Sequence, residues 1–119
     1  MEYIPVDPKG ITLEKDFQTA MWREWKKMGF FYYKLTDASM GRKPFDCVVS
    51  MNWRTYCVEL KVIKGLTFNP SVLRDHQVYC LKQIEKNWAR AMVLVYSLKA
   101  WYYKIYSIWE LQDDVSMKF

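Results

Sequence analysis

Apolar positions along the chain fall into runs of two kinds, one helical in spacing and one extended. Leu13, Phe17, Ala20, Met21, Trp25 and Met28 recur at steps of three and four, which is the stripe of an amphipathic helix. Thr12 stands at an N-cap position and Gly29 where a helix C′ residue belongs, so the pattern predicts a first helix over 13–28. Phe30 to Leu35 is a β-favouring run. Asp46 to Met51 and Arg54 to Val62 read as two strands around Asn52-Trp53, a two-residue hairpin loop. Asn69-Pro70 supplies an N-cap and a proline at N1 for a second helix reaching Trp88, with Leu73, Cys80, Leu81, Ile84 and Trp88 on its apolar side. Ala91 to Leu98 and Trp101 to Tyr106 are further strands, and Ser107 to Leu111 closes as a turn of helix. Residues 1–10 read as an irregular lead-in, 63–69 as a connection and 112–119 as a polar tail. The order α-β-β-β-α-β-β predicts one small α/β domain over 1–119, with a mixed central sheet flanked by helices.

Charges interrupt the apolar hairpin. With Met51 opposite Arg54, counting outward places Asp46 opposite Glu59. Alternation puts Glu59 and Lys61 on one face and Val58, Leu60 and Val62 on the other. Two facing carboxylates repel unless a cation lies between them, and hard oxygen ligands suit a divalent metal, with Lys61 completing the cluster. The plainer alternative leaves Asp46 at a strand end and Glu59 paired with Lys61 or Arg54 on a solvated face. The runs CVVSM and YCVELKV point instead to a mostly buried sheet, where charge is expensive.

Other polar residues are drawn to the same question. On a helical wheel Glu14 falls between Met21 and Trp25, with Gln18 bordering that side and Glu24 also within the stripe. A first-turn glutamate also simply favours the helix dipole. Gln77 lies mid-stripe on the second helix and needs hydrogen-bond partners, which a neighbouring polar site or an ordinary core contact supplies. His76 sits at the edge of that stripe near Cys80. The loop over 36–43, with Ser39, Arg42 and Lys43, offers backbone N–H groups and positive charge to phosphates, or is a generic polar connection. Lys64 follows the hairpin, and Arg74, Lys82, Lys86 and Arg90 lie off the apolar stripe.

Composition narrows the class. The 119 residues are 51% hydrophobic and 18% aromatic, too apolar for disorder. No apolar run approaches the ~20 residues of a membrane span, and MEYIPVDPKG lacks the features of a secretory signal. Three cysteines, Cys47, Cys57 and Cys80, with no C-x-x-C spacing argue for small buried hydrophobes in a reducing cytoplasm. A net charge of +5 leans towards an anionic partner such as nucleic acid.

Asp46, then Glu59-Leu60-Lys61 across a hairpin, with a glutamate-bearing helix before and a helix after, resembles the PD-(D/E)XK nuclease superfamily. The longer runs KLTDASMGRKPFD, ELKV, KGLTF and LRDHQ resemble RecU-type Holliday junction resolvases, with kinship to the archaeal junction resolvases, over about 12–108. The resemblance implies a restriction-endonuclease-like core and a Mg²⁺-dependent endodeoxyribonuclease selective for branched DNA, active as a dimer in recombination and repair. Its compact form fits a phage gene. It further implies that Asp46 and Glu59, with the Leu60 carbonyl, hold Mg²⁺ (or Mn²⁺) and that Lys61 positions water or stabilises the transition state. Glu14 matches the family's acidic residue of the first helix, Ser39 its loop serine and Gln77 its supporting glutamine. Phe45 departs from the proline found there in many members, with Pro44 one position earlier. Two other classes stay open: a nuclease-fold DNA-binding protein without catalysis, and a protein whose aromatic surface is a partner interface. Trp53-Arg54 at the hairpin tip could stack on nucleic acid or be a packed surface pair.

Overall fold

The computed structural model describes residues 3–5, 11–36, 42–87, 89–111 and 115–119. Its main element is a six-stranded mixed sheet in the order β1-β7-β6-β4-β3-β2, built from β1 (Tyr3–Pro5), β2 (Phe31–Lys34), β3 (Cys47–Met51), β4 (Arg54–Ile63), β6 (Arg90–Ser97) and β7 (Tyr102–Ser107). A small second sheet joins β5 (Thr67–Phe68) to β8 (Met117–Lys118). In the large sheet β4 and β6 run parallel, from Tyr56↔Arg90 to Ile63↔Ser97, and every other pairing is antiparallel. A parallel pair needs a crossover, and helix α2 (Asp75–Lys86) supplies it.

Alternation along β4 divides the core. Val58 and Leu60, with Val49, Leu94 and Tyr96, face helix α1 (Glu14–Lys27) and its Phe17, Met21 and Trp25. Cys57 turns the other way, with Val93 and Val95, towards Leu73, Leu81 and Phe68. Phe17, Leu60, Leu81 and Val93 are fully buried, each contributing about 1.5–3 kcal/mol of apolar burial. The tight hairpin forms as its sequence predicts: Met51 pairs with Arg54, and Asn52 and Trp53 both have positive φ (48° and 71°), the backbone a two-residue turn needs.

Several expectations are corrected. Asp16, not Thr12, organises the start of α1; its carboxylate accepts from Thr12 N, Thr12 Oγ1 and Leu13 N at 3.0–3.1 Å. These bonds hold its carboxyl below the usual range. Leu13, Met28 and Glu24 are exposed, and Glu24 pairs with Lys27, so the buried stripe is narrower than the pattern suggested. The expected helix over 70–88 is split. Asn69 caps a single 3₁₀ turn, Pro70–Val72, then Leu73 and Arg74 are extended before α2 begins. The break lets Leu73 enter the core while restarting the helix phase. Trp88 lies outside the described residues. The lead-in contains β1, whose Pro5 suits an edge strand; the connection after β4 contains β5, and the polar tail contains β8.

Candidate active site

Strand β4 outruns β3. The last ladder pair is Cys47↔Val58, and the Asp46 N–H also donates to the Val58 carbonyl, at 3.0 Å. Two residues therefore oppose one, a β-bulge that ends the pairing. Asp46 is not in the ladder opposite Glu59, as simple counting expected. Its side chain instead replaces the missing strand, with Oδ2 accepting from the Leu60 N–H at 2.7 Å. Within a strand a residue's C=O points to the same side as its N–H, so the Leu60 carbonyl also emerges beside Asp46, past the end of β3. The bulge thus brings a carboxylate and a main-chain carbonyl together at the uncovered edge of β4.

Glu59 completes the group. Only 2% exposed, it lies on the α2 face of the sheet, where Gln77 Nε2 donates to its Oε2 at 2.9 Å. Gln77 is oriented in turn by the Arg74 N–H, which donates to its Oε1 at 3.3 Å. Lys61 Nζ stands 3.4 Å from Glu59 Oε2 and 3.7 Å from Glu14 Oε1, linking α1 to the site. Lys43 Nζ lies 2.8 Å from Asp46 Oδ1. Among the described residues Glu59 Oε1 is buried with no hydrogen-bond partner. Burial first, and then the neighbouring Asp46 charge, push the Glu59 carboxyl up to about 8 against the opposing pull of Lys61. Burial, with the charges of Asp46 and Glu59, also drives the Cys47 thiol well above its usual range.

An orphaned buried carboxylate oxygen beside a second carboxylate calls for a proton or a cation. The donors are all oxygen, which suits a hard divalent ion. Among the described residues no three His, Cys, Asp or Glu side chains converge. Asp46, Glu59 and the Leu60 carbonyl would therefore hold such an ion with water filling the remaining positions, and Mg²⁺ tolerates that well.

Of the residues singled out from the sequence, Asp46, Glu59, Leu60, Lys61, Gln77 and, at a half-exposed position, Glu14 come together here. Lys43, expected among phosphate contacts, lies against Asp46. Arg42, Lys64, Arg74 and His76 are exposed, with His76 3.9 Å from Cys80 Sγ, and Ser39 lies outside the described residues. The pairing of Lys43 with Asp46 escaped the sequence reading, although their spacing of three residues in K-P-F-D is a usable signal.

No family model and no curated protein matches the chain. Among solved structures it is similar to Hjc, a Holliday junction resolvase from the archaeal hyperthermophile Archaeoglobus fulgidus. The TM-score is 0.66 at 18% identity, over 86% of this chain and 84% of that one. The neighbour is an archaeal Holliday junction resolvase, so the comparison does not support the RecU-type resemblance specifically. The chain has the mixed α/β fold of that resolvase, as its sequence led us to expect.

Proposed function

We propose that the protein is a metal-dependent, structure-selective DNA endonuclease of the Holliday junction resolvase kind. The observation that carries this is the buried Asp46–Glu59 pair, with Glu59 Oε1 unpartnered, at the strand edge where the Leu60 carbonyl emerges. Asp46, Glu59 and the Leu60 carbonyl would hold Mg²⁺ or Mn²⁺. When bound, that ion supplies a water of lowered pKa and neutralises charge on the scissile phosphate. Gln77 fixes the Glu59 rotamer from the α2 side, keeping the carboxylate aimed at the site. Lys61, shared between Glu59 and Glu14, places positive charge where negative charge gathers during cleavage. Arg42, Lys64, Arg74 and His76 are exposed side chains suited to the sugar–phosphate backbone, and the net charge of +5 favours its approach. Two nicks in a four-way junction need two such sites, so the working form is a homodimer.

The test is cleavage of labelled four-way junction, nicked, flap and linear duplex DNA with Mg²⁺ or EDTA, by wild type and Lys61→Ala. Paired nicks in the junction alone, absent in both controls, are the expected result. Cuts in linear duplex as well would keep the nuclease and remove the junction selectivity. DNA binding without cleavage in Mg²⁺ or Mn²⁺ would overturn the catalytic assignment in favour of a DNA-binding module.

A further inference from the structure

Both oxygens of Asp46 are engaged. Oδ2 is fixed by the Leu60 N–H and Oδ1 takes the Lys43 ammonium at 2.8 Å, while the nearby Glu59 Oε1 has no partner. A divalent ion held by Asp46, Glu59 and the Leu60 carbonyl would sit within a few ångströms of that ammonium, and like charges at such range in a poorly solvated site repel strongly. We infer that Lys43 is an internal counter-ion: it neutralises Asp46 in the metal-free protein, gives up Asp46 when a divalent ion binds, and is then turned towards a phosphate on the substrate. This rests on the assignment of Asp46 and Glu59 as a cation site.

Local structure allows the exchange. Pro44 and the buried Phe45 tie the main chain between Lys43 and Asp46 to the core, so the Lys43 backbone stays beside the site. The Lys43 side chain is one-quarter exposed and ends in a flexible stem, so its ammonium can leave Asp46 for solvent without disturbing the core. Arg42, next to it, is exposed, and the two cations would then face a phosphate together. Lys61 differs in kind. It touches Glu59 and Glu14, so it keeps an acidic partner on the α1 side when Glu59 is committed elsewhere.

The experiment is calorimetric titration of Mn²⁺ alone into the full-length wild type, Lys43→Met, Lys43→Arg and Asp46→Asn. Lys43→Met is expected to bind Mn²⁺ about tenfold more tightly than wild type, since no charge-assisted hydrogen bond has to be broken. Lys43→Arg, able to grip a carboxylate through two N–H groups, is expected to bind more weakly than wild type. Equal or weaker binding by Lys43→Met overturns the inference. Amine labelling of the wild type, read residue by residue by mass spectrometry, is expected to find Lys43 more reactive with saturating Mn²⁺ than without it. Unchanged labelling also overturns the inference, and this measurement decides should Lys43→Met fail to fold. A wild type whose Mn²⁺ binding is absent, or is unaffected by Asp46→Asn, fails earlier, at the cation site itself, and removes both proposals.

Discussion

Two clusters of opposite charges lie along β4, one near its start and one towards its end, and only the second leaves a buried carboxylate oxygen unsatisfied. Near the start of the strand Arg54, Glu85, Arg90 and Glu110 line an open cleft of about 310 Å³. Each carboxylate there has a local use. Glu85 Oε2 accepts from the Ala91 N–H at 2.5 Å, its Oε1 faces Arg90 at 3.7 Å, and Glu110 Oε1 caps the Ser107 N–H at 3.0 Å. Arg90 is well exposed, so the pair is of the kind worth little in energy. Towards the other end, Asp46 and Glu59 are 4% and 2% exposed, one oxygen has no partner, and two lysines offset the charge. The contrast teaches that a charge cluster becomes informative through what it leaves unsatisfied. The cleft is open, yet both carboxylates that line it serve the fold.

The largest expected difference between the clusters is in cleavage. Glu59→Ala should lower the rate on a cut substrate by about 10²–10³-fold or more, and Glu85→Ala should leave it within a factor of about two. Equal losses in a gel-based cleavage assay would erase the distinction. Next comes the pH dependence of stability. Glu59 keeps its proton to about pH 8 in the folded chain, against an ordinary value of 4.5. Between those values the folded state binds more protons than the unfolded one, so stability of the metal-free protein falls as pH rises, by up to roughly 1 kcal/mol per pH unit, and levels off above about 8. Urea titrations from pH 5 to 9 should find that slope flattened in Glu59→Gln and unchanged in Glu85→Gln.

A smaller effect separates the supporting residues. Gln77→Ala removes the donor to Glu59 Oε2 and leaves a gap in the α2 face, so it should cost about 1–3 kcal/mol in chemical denaturation and weaken Mn²⁺ binding. Glu85→Ala loses one bond to the Ala91 N–H, so it should cost about 1 kcal/mol and leave Mn²⁺ affinity untouched.

The architecture was largely legible in the sequence because its signals are local. The Phe17–Met21–Trp25 spacing, the Asn52-Trp53 turn and the unbroken apolar run of β6 each name an element without help from the rest of the chain. The short strands β1, β5 and β8 were missed because each is made only by a partner distant in sequence. The split of the second helix was hidden because Pro70 supplies a good N1 residue to a turn that then stops. At the candidate site, Asp46 and Glu59 stood out through their conflict with an apolar background, and the fold brings them together. Their arrangement was not legible, because counting from the hairpin assumes an unbroken ladder and the bulge at Asp46 breaks it. The ion pair of Lys43 with Asp46 was not foreseen for the same reason: the bulge turns Asp46 to where its neighbour three residues back reaches it.

The parallel pairing of β4 with β6 has a consequence in time. The hairpin that carries Asp46 and Glu59 closes through two residues, a microsecond event. The β6 side of β4 and the Gln77 contact wait for the chain from Ile63 to Arg90 to return, a long-range closure that is intrinsically slower. Glu59 is thus solvated while the hairpin forms and loses its water only when α2 and β6 dock. A penalty incurred that late falls on the lifetime of the folded state more than on the speed of reaching it, so Glu59→Gln should slow unfolding while leaving the folding rate nearly unchanged in stopped-flow denaturant jumps.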